Sequence, residues 1–291
     1  MATSSLIVTG ADAAYFELLR DCVVSLRRHQ AGREQALAVF DCGLHEAQRQ
    51  WLADRGAQLA TPSWDYAASL VERLPPHAKA LTARPFLPRY FPQAETILWI
   101  DADCWIQDYA AIDLLQAAAV DGSLAVVPEI DRAFRHYRHA RDEFVDVVGS
   151  AYRAAYGQEV ASELTRWPML NAGVFAMRRD SKGWALWART LEAGLRHSAD
   201  LIDQLALNVA VYQRGLRHHP LPAWCNWPAH HATPAWDIER KLFVEPWLPH
   251  RPIGILHLTV WTKHEAFQEV RQIGGPADGH LRQMSLRLPH G

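Results

Sequence analysis

The sequence predicts an α/β protein with a mostly parallel central sheet flanked by helices, and three observations support this fold class. Short apolar segments alternate with helical patterns over residues 6–60, which is typical of successive strands and helices around a parallel sheet. The segment 96–100 carries β-branched and aromatic residues at successive positions, as expected of a strand covered on both faces. Of the 291 residues, 49% are hydrophobic, so the chain can bury a substantial core.

Each element is predicted from the spacing of apolar residues and from the turn residues around it. The first strand covers 6–9 and ends at Gly10, and the helix after it begins at Asp12, since Asp is a favoured N-cap residue. Further strands are expected over 36–40, 57–60, 96–100, 124–127, 170–177 and 253–258. Further helices are expected over 44–55, 78–90, 110–119, 182–196 and 200–213. Pro85 and Pro88 interrupt the second of these helices.

The last third of the chain lacks clear periodicity. Residues 217–252 are rich in Pro, His and Trp, which predicts a long ordered loop region over the functional site. From Gly274 onward, repeated Gly and Pro residues predict a surface tail. Because the chain has no internal repeat and no linker, we expect a single domain over 1–291, with a core at about 5–265 and a tail at about 274–291.

Composition and charge argue against several classes of protein. The formal net charge of −2 gives no electrostatic reason to expect a nucleic-acid partner, and the basic and aromatic stretch 132–141 is expected to be an exposed flank. No apolar segment approaches the roughly 20 residues of a membrane-spanning helix, and the N-terminus lacks the features of a secretion signal. Four separated cysteines indicate buried free thiols in a reducing compartment. We therefore expect a soluble cytoplasmic protein.

The strand 96–100 leads directly into Asp101-Ala102-Asp103. Ligands of open α/β sheets bind beyond the carboxyl ends of the strands, so both carboxylates are expected at the rim of a site. Two carboxylates this close repel each other, and an oxygen-preferring divalent cation is the simplest group that neutralises both. The alternative is a solvated turn, because Asp is common in turns for its own hydrogen bonding.

Three further motifs follow this acidic pair along the chain, namely Leu170-Asn171-Ala172-Gly173-Val174-Phe175, then Asp203-Gln204, then His257 with Lys263. In this order and spacing, the chain resembles glycosyltransferase family 8 over about residues 5–265. The resemblance implies a single GT-A domain with a Rossmann-like sheet, and a retaining transferase that uses Mn²⁺ and a nucleoside-diphosphate sugar, most commonly a UDP-sugar. The acceptor would be a carbohydrate or another hydroxyl compound.

The resemblance also implies a metal site. Asp101 and Asp103 would coordinate Mn²⁺ or Mg²⁺, and His257 would be the third protein ligand. Two carboxylates and an imidazole, together with diphosphate oxygens, suit the octahedral preference of these cations. From the residues alone, a histidine after an apolar strand more often makes a structural hydrogen bond than it binds a metal, and that alternative stays open.

The same resemblance assigns residues to the donor. Lys263 would contact the diphosphate, where its charge would stabilise the leaving phosphate. Arg84 would bind diphosphate or sugar, and Asn171 would donate to the donor sugar. The alternative for Lys263 is an exposed loop lysine, and the alternative for Arg84 is pairing with a surface carboxylate. Turn chemistry is the alternative for Asn171. The other positions assigned to the donor are Thr9, Asp12, Asp101, Ala102 and Ala172.

Gln204 and Asp203 are the catalytic residues that the resemblance implies. Gln204 would lie beneath the anomeric carbon, and Asp203 would accept a hydrogen bond from a sugar hydroxyl. Because an amide is a poor nucleophile, the implied mechanism is front-face transfer, in which the donor phosphate helps to deprotonate the acceptor. A double displacement would instead need a carboxylate nucleophile, for which Glu129 and Asp131 are the nearest candidates by order.

The chain departs from the family pattern at three places. Ala11-Asp12-Ala13-Ala14 replaces the run that contacts base and ribose, Leu205 replaces a carboxylate, and Val260 replaces a glycine beside the phosphate. The last two motivate an alternative, a non-catalytic protein that binds sugar nucleotides. A nucleotidyltransferase is another alternative, because it also holds metal with paired Asp residues, although the usual Gly-rich loop after the first strand is missing.

Tryptophans crowd the region 217–252 and could serve the acceptor side of such a site. Their rings could stack on sugar faces or pack in the core, and packing is favoured for most of them. They are Trp224, Trp227, Trp236 and Trp247.

Overall fold

The computed structural model describes residues 5–135, 143–200 and 202–289. The ends of the predicted domain, most of the expected exposed flank (136–141) and position 201 of the last predicted helix lie outside these ranges. The strands are β1 (Ser5–Ala11), β2 (Ala36–Asp41), β3 (Ala57–Ala60), β4 (Thr96–Ile100), β5 (Cys104–Ile106), β6 (Leu124–Pro128), β7 (Leu170–Arg178), β8 (His218–Pro220), β9 (Trp227–Pro228), β10 (Ala235–Asp237), β11 (Leu242–Val244), β12 (Ile255–His257), β13 (Gln268–Ile273) and β14 (Leu281–Met284).

The helices include those whose ranges were predicted from the sequence, with bounds that agree to within a few residues, and others whose ranges were not predicted. They are α1 (Phe16–Arg28), α2 (Gln30–Glu34), α3 (Glu46–Ala53), α4 (Ala68–Val71), α5 (Ala78–Ala83), α6 (Leu87–Tyr90), α7 (Ala110–Ala118), α8 (Glu143–Tyr156), α9 (Gln158–Leu164), α10 (Gly183–Leu195) and α11 (Ile202–Tyr212). Short 3₁₀ turns cover Arg84–Phe86, Ala223–Cys225, Val260–Lys263 and Gly275–Ala277. The predicted interruption of the helix over 78–90 is confirmed, because a 3₁₀ turn containing Pro85 separates α5 from α6.

A seven-stranded, mostly parallel sheet lies at the centre, which confirms the predicted fold class. Its strand order is β3-β2-β1-β4-β7-β6-β8. β1 is parallel to β2 and to β4, β2 to β3, and β6 to β8, whereas β7 runs antiparallel to β4 and β6. Because β1 and β4 run in the same direction side by side, their carboxyl ends bring Ala11 and Asp101 to one edge of the sheet.

The side chains of β4 alternate between two buried clusters on opposite faces of the sheet. Ile97 and Trp99 belong to one cluster, and Leu98 and Ile100 belong to the other. All four are buried, and burying a side chain of this size contributes about 1.5–3 kcal/mol relative to leaving it exposed. Packing on both faces fixes this strand, and the carboxylates that follow it are held in place by the same contacts.

Two smaller sheets are built mainly from the last third of the chain. Their strand orders are β11-β10-β13-β14 and β5-β12-β9. In the second sheet β12 is antiparallel to β5, and the register sets His257 opposite Cys104. This pairing carries a residue from the C-terminal third to the turn that contains Asp103.

The last third contains short strands within the predicted long ordered loop region. Over residues 217–252 there are four strands of two or three residues each. Segments this short carry too few side chains to display a period. The predicted surface tail is exposed over most of 275–283, but its end is anchored. Leu286 and Leu288 are buried, and Trp105 Nε1 donates to the Leu286 carbonyl at 2.9 Å.

The first strand and helix differ from the prediction in their bounds. β1 continues through Gly10 to Ala11, because β2 pairs with it over its whole length. A Cβ atom at Gly10 would lie 2.9 Å from the Phe40 Cβ, so close strand packing accounts for this glycine. α1 begins at Phe16, and Asp12 caps the preceding turn, with its Oδ1 accepting from the backbone N–H groups two and three residues later, both at 3.0 Å.

All four cysteines are free thiols, and Cys22, Cys104 and Cys225 are buried as predicted. Of the helices in the described ranges, none combines the length and the apolar character that crossing a bilayer requires.

Candidate active site

A tight turn between β4 and β5 fixes the acidic pair. The Asp101 N–H donates to the Gly173 carbonyl at 2.8 Å, and the Cys104 N–H donates to the Asp101 carbonyl at 3.0 Å. Ala102 is buried between the two aspartates, whose side chains are both mostly buried. The sheet edge thus holds two carboxylates in a fixed arrangement.

His257 completes a cluster with these carboxylates. Its Nε2 lies 3.2 Å from Asp103 Oδ1 and 3.8 Å from Asp101 Oδ2. Gly173 lies against the cluster, because a Cβ atom there would be 2.5 Å from His257 Cε1 and 2.6 Å from Asp101 Oδ2. Only a residue without a side chain leaves this space open.

Lys263 adds a positive charge on the other side of Asp103. Its Nζ donates to Asp103 Oδ2 at 3.0 Å, from the end of the 3₁₀ turn Val260–Lys263. Burial alone would raise the pKa of Asp103, but the charges of His257 and Lys263 outweigh burial and hold that pKa well below its usual value. Burial by itself would lower the pKa values of His257 and Lys263. The negative charge of Asp103 outweighs this effect of burial, so the pKa values of both residues are raised.

Arg84 links Asp101 to Asp203. Its guanidinium is buried, donates to Asp203 Oδ2 at 2.5 Å and to Asp101 Oδ1, and stacks over the Trp99 ring at 4.7 Å. Trp99 Nε1 also donates to Asp101 Oδ1, at 2.7 Å. Burial opposes the charge of Arg84, but the two carboxylates outweigh it and raise its pKa. Arg84 and Asp203 are therefore joined in an ion-paired cluster, and their expected contacts with diphosphate and sugar stay predictions.

Gln204 and Asn171 meet at the antiparallel strand β7. Gln204 is half-buried, and its Oε1 accepts from the Ala172 N–H at 3.0 Å. Asn171 is buried, and its Nδ2 donates to Glu129 Oε1 at 2.6 Å. Its Oδ1 accepts from the Gly173 N–H at 2.8 Å and from Asn226 Nδ2 at 2.9 Å. The expected sugar contact of Asn171 stays a prediction, since both ends of its amide already have partners in the protein.

The structure also identifies residues that the sequence did not single out. Asn226 bonds both Asn171 and His257, and His231 Nε2 lies 2.9 Å from Glu129 Oε2. Both residues belong to the region 217–252, where neither residue type nor spacing pointed to them. Glu129 is buried and its two carboxylate oxygens are bonded to Asn171 and His231, which argues against a nucleophile, and the role itself stays a prediction. Its position in chain order gave no information on burial.

A cavity of about 290 Å³ opens beside the cluster. Its lining includes Asp101, Ala102, Asp103, Arg84 and Lys263. Gly10, Asp12, Tyr15, Cys42 and His77 also line it, and Lys263 Nζ lies 5.4 Å over the Tyr15 ring. Thr9 is placed differently, because its side chain is fully buried within β1 and is not among the described residues that line the cavity. Ala172 is buried in β7 and is also not among those lining residues.

The charged cluster is suited to a divalent cation. Asp103, Cys104 and His257 each bring a ligand atom within 4.8 Å of the others. Burial and the two nearby aspartates raise the pKa of Cys104 well above its usual value, so its thiol stays protonated. A protonated thiol is a poor ligand for an oxygen-preferring cation, which leaves the carboxylates and His257 as the better donor set.

The tryptophans of the C-terminal region mostly pack, as expected. Trp224 and Trp227 are buried, and the Trp236 ring packs edge-on against Phe243 with centroids 5.0 Å apart. Trp247, at 44%, is the most exposed of the four, and Trp236 is partly buried.

Comparison with known proteins identifies the fold. No protein-family model matches the chain, and no curated protein matches it in sequence. Among solved structures, the galactosyltransferase LgtC in complex with donor and acceptor sugar analogues is 16% identical, with a TM-score of 0.54 over 87% of this chain and 86% of that one. Mouse xyloside xylosyltransferase 1 is 13% identical, with a TM-score of 0.50 over 87% and 96% of the two chains.

The bifunctional glycosyltransferase WbbM is 17% identical, with a TM-score of 0.52 over 82% of this chain. This chain spans only 40% of the WbbM chain. The chain thus has the GT-A fold of glycosyltransferases, which confirms the expected fold class.

Proposed function

We propose that this protein is a metal-dependent glycosyltransferase that moves a sugar from a nucleoside-diphosphate sugar to a hydroxyl acceptor with retention. The observation that carries the proposal is the convergence of Asp101, Asp103, His257 and Lys263 beside a cavity at the carboxyl edge of the sheet. A UDP-sugar is the proposed donor, and the likeness to glycosyltransferase family 8 and a cytoplasmic location belong to the same proposal.

Asp101, Asp103 and His257 are the residues that would hold the cation. The space left by Gly173 lies against two of these side chains, and the donor set of carboxylates and imidazole suits Mn²⁺ or Mg²⁺. When bound, such a cation supplies positive charge beside the leaving diphosphate.

Lys263 provides a second positive charge for the diphosphate. Its Nζ is only partly buried and faces the cavity, so it can exchange its bond with Asp103 for one with a phosphate oxygen. A fixed ammonium stabilises the negative charge that grows on the leaving oxygen as the sugar–oxygen bond breaks. Asp12 and Tyr15 also line the cavity and are the proposed contacts for the nucleoside.

Front-face transfer fits the positions of the carboxylates better than double displacement does. Glu129 is buried and bonded within the protein, so it does not offer a free nucleophile. The bond from the anomeric carbon to the phosphate oxygen breaks while the acceptor oxygen bonds to the same face, and the acceptor proton passes to the departing phosphate. Gln204, held at Ala172 through its Oε1, leaves its Nε2 to stabilise the sugar in this step.

Two departures from the family pattern gain a structural explanation, which favours a catalytic protein over a non-catalytic one. Val260 has a φ of +53°, the left-handed conformation that glycine favours, so the backbone conformation expected of a glycine is retained. Leu205 is fully buried in a hydrophobic cluster with Tyr152 and Val209, so its position faces the core.

The test is to incubate the protein with a panel of nucleotide sugars and acceptors, with Mn²⁺ or with EDTA, and to identify the released product. We expect a nucleoside diphosphate that is released only when the metal is present. Release of pyrophosphate would instead indicate a nucleotidyltransferase, and donor binding without turnover across the panel would indicate a non-catalytic binding protein.

A further inference from the structure

A buried chain of hydrogen bonds runs from Glu129 to His257. Asn171 Nδ2 donates to Glu129 Oε1 at 2.6 Å, and Asn226 Nδ2 donates to Asn171 Oδ1 at 2.9 Å. His257 Nδ1 lies 3.0 Å from Asn226 Oδ1. All four side chains are at most 5% exposed, so water does not compete for these bonds. We call this series the Glu129 relay.

The direction of each bond in the relay is fixed. The backbone N–H of Gly173 can only donate, and it points at Asn171 Oδ1, so the other end of that amide must face Glu129. Asn171 Oδ1 also accepts from Asn226, which must therefore present its nitrogen to Asn171 and its oxygen to His257. An oxygen at this point accepts, so His257 Nδ1 must carry a hydrogen.

A hydrogen on Nδ1 leaves Nε2 of the neutral ring with a free lone pair. Nε2 is the atom that faces Asp103 Oδ1 and Asp101 Oδ2. Without a cation, Nε2 can carry a proton and donate it to Asp103. When a cation takes the place of that proton, the lone pair of Nε2 becomes the ligand, while the other ring nitrogen is held by a neighbouring group.

Glu129 is itself held at both oxygens. While Oε1 accepts from Asn171, Oε2 lies 2.9 Å from His231 Nε2. Burial opposes its charge, but His231 and Asn171 outweigh burial and lower the pKa of Glu129. An ionised carboxylate only accepts hydrogen bonds, so it reinforces the direction that the Gly173 amide imposes.

We propose that Glu129 is a positioning residue that, through Asn171 and Asn226, holds His257 with Nδ1 protonated and Nε2 directed at the cation site. The inference rests on the metal site of the proposed function and adds a role for residues outside it. Removing one member of the relay would leave a buried donor or acceptor without a hydrogen-bond partner. Truncation of Glu129 therefore disturbs the relay as far as His257.

The test compares Glu129→Leu with Glu129→Gln. A glutamine at this position retains an oxygen acceptor for Asn171, whereas leucine removes it. We expect the affinity for Mn²⁺, measured by electron paramagnetic resonance, to fall about 10- to 100-fold in Glu129→Leu and to change less than about 3-fold in Glu129→Gln. Glu245→Leu is the control, because Glu245 is another buried glutamate but pairs with Arg132. It should leave Mn²⁺ binding at the wild-type level.

A direct reading comes from the ring ¹⁵N shifts of His257 in the metal-free wild-type protein, at a pH where the ring is neutral. Wild-type protein should carry the hydrogen on Nδ1, and a hydrogen on Nε2 would overturn the proposal even if Glu129→Leu does not fold. Wild-type Mn²⁺ affinity in folded Glu129→Leu would overturn it as well. A loss of turnover of about 1,000-fold in Glu129→Gln, with Mn²⁺ affinity intact, would make Glu129 catalytic and would also contradict a positioning role.

These readouts separate the inference from the proposed function. If no nucleotide sugar is turned over but the ¹⁵N shifts and Mn²⁺ affinities follow the expectation, the positioning role stands and the proposed transfer reaction fails. If turnover is observed but the hydrogen lies on Nε2, the transfer reaction stands and the relay fails.

Discussion

Asp101 and Asp103 are one residue apart, yet their charges are balanced by different parts of the molecule. Asp101 is paired with Arg84, which is buried, stacks on Trp99 and also binds Asp203. Asp103 is paired with His257 and Lys263, of which Lys263 is partly exposed and belongs to a short 3₁₀ turn. Both sides line the cavity, but Arg84, the cation on the Asp101 side, is 5% exposed, whereas Lys263, the cation on the Asp103 side, is 19% exposed.

The difference between their partners gives the two aspartates different roles, one in stability and one in cation binding. A buried ion cluster with several hydrogen bonds cannot lose a member without leaving a charge uncompensated. A pair at the edge of a cavity can exchange its partner for a ligand at smaller cost, because water and the ligand reach it. We therefore expect changes at Arg84 to act on stability and changes at Asp103 to act on cation binding.

The largest expected effect follows from Arg84→Met. Methionine fills much of the same volume but leaves Asp101 and Asp203 without their cation, and breaking a buried pair in this way typically costs about 3–5 kcal/mol. The free energy of unfolding, measured by urea denaturation, should fall by that amount. Arg89→Met is the matched control, since Arg89 is mostly exposed and lies 3.7 Å from Asp65. It should change stability by less than about 1 kcal/mol, and an equal loss in both variants would contradict the structural role of Arg84.

A smaller effect, on binding, is expected for Asp103→Asn. The substitution keeps the size of the side chain and removes the charge that attracts a cation. We expect the affinity for Mn²⁺ to fall about 100-fold, equivalent to about 2.7 kcal/mol. Asp113→Asn, on the exposed surface of α7, is the control and should bind Mn²⁺ like the wild type. Unchanged binding in Asp103→Asn would remove Asp103 from the set of metal ligands.

The sequence also predicted the surroundings of Asp101 and those of Asp103 to different extents. The strand 96–100 is defined by five successive residues, and both its bounds and its position before Asp101 are confirmed. The pairing of Arg84 with Asp203 was not foreseen, since a charged residue in a helical segment gives no sign that it will be buried.

The Asp103 side depends on long-range pairing that no local pattern contains. Asn226 reaches His257 because β9 is parallel to β12, a contact between two strands of two and three residues. Such strands are too short to show alternation, and their place is set by the pairing of β12 with β5 and of β9 with β12. The resemblance supplied His257 and Lys263, but it could not supply Asn226 or His231.

The smallest expected effect is a gain in stability on the Asp103 side, from Val260→Gly. Val260 is 56% exposed and has a φ of +53°, a conformation that is strained for a β-branched residue. Relief of about 1–2 kcal/mol of strain outweighs the added flexibility of glycine in the unfolded chain, so the free energy of unfolding should rise by about 0.5–1 kcal/mol. Val147→Gly is the control, because Val147 is similarly exposed but lies within α8, where glycine should lower stability by about 1 kcal/mol. A loss of stability in both variants would show that the turn carrying Lys263 is not strained at Val260.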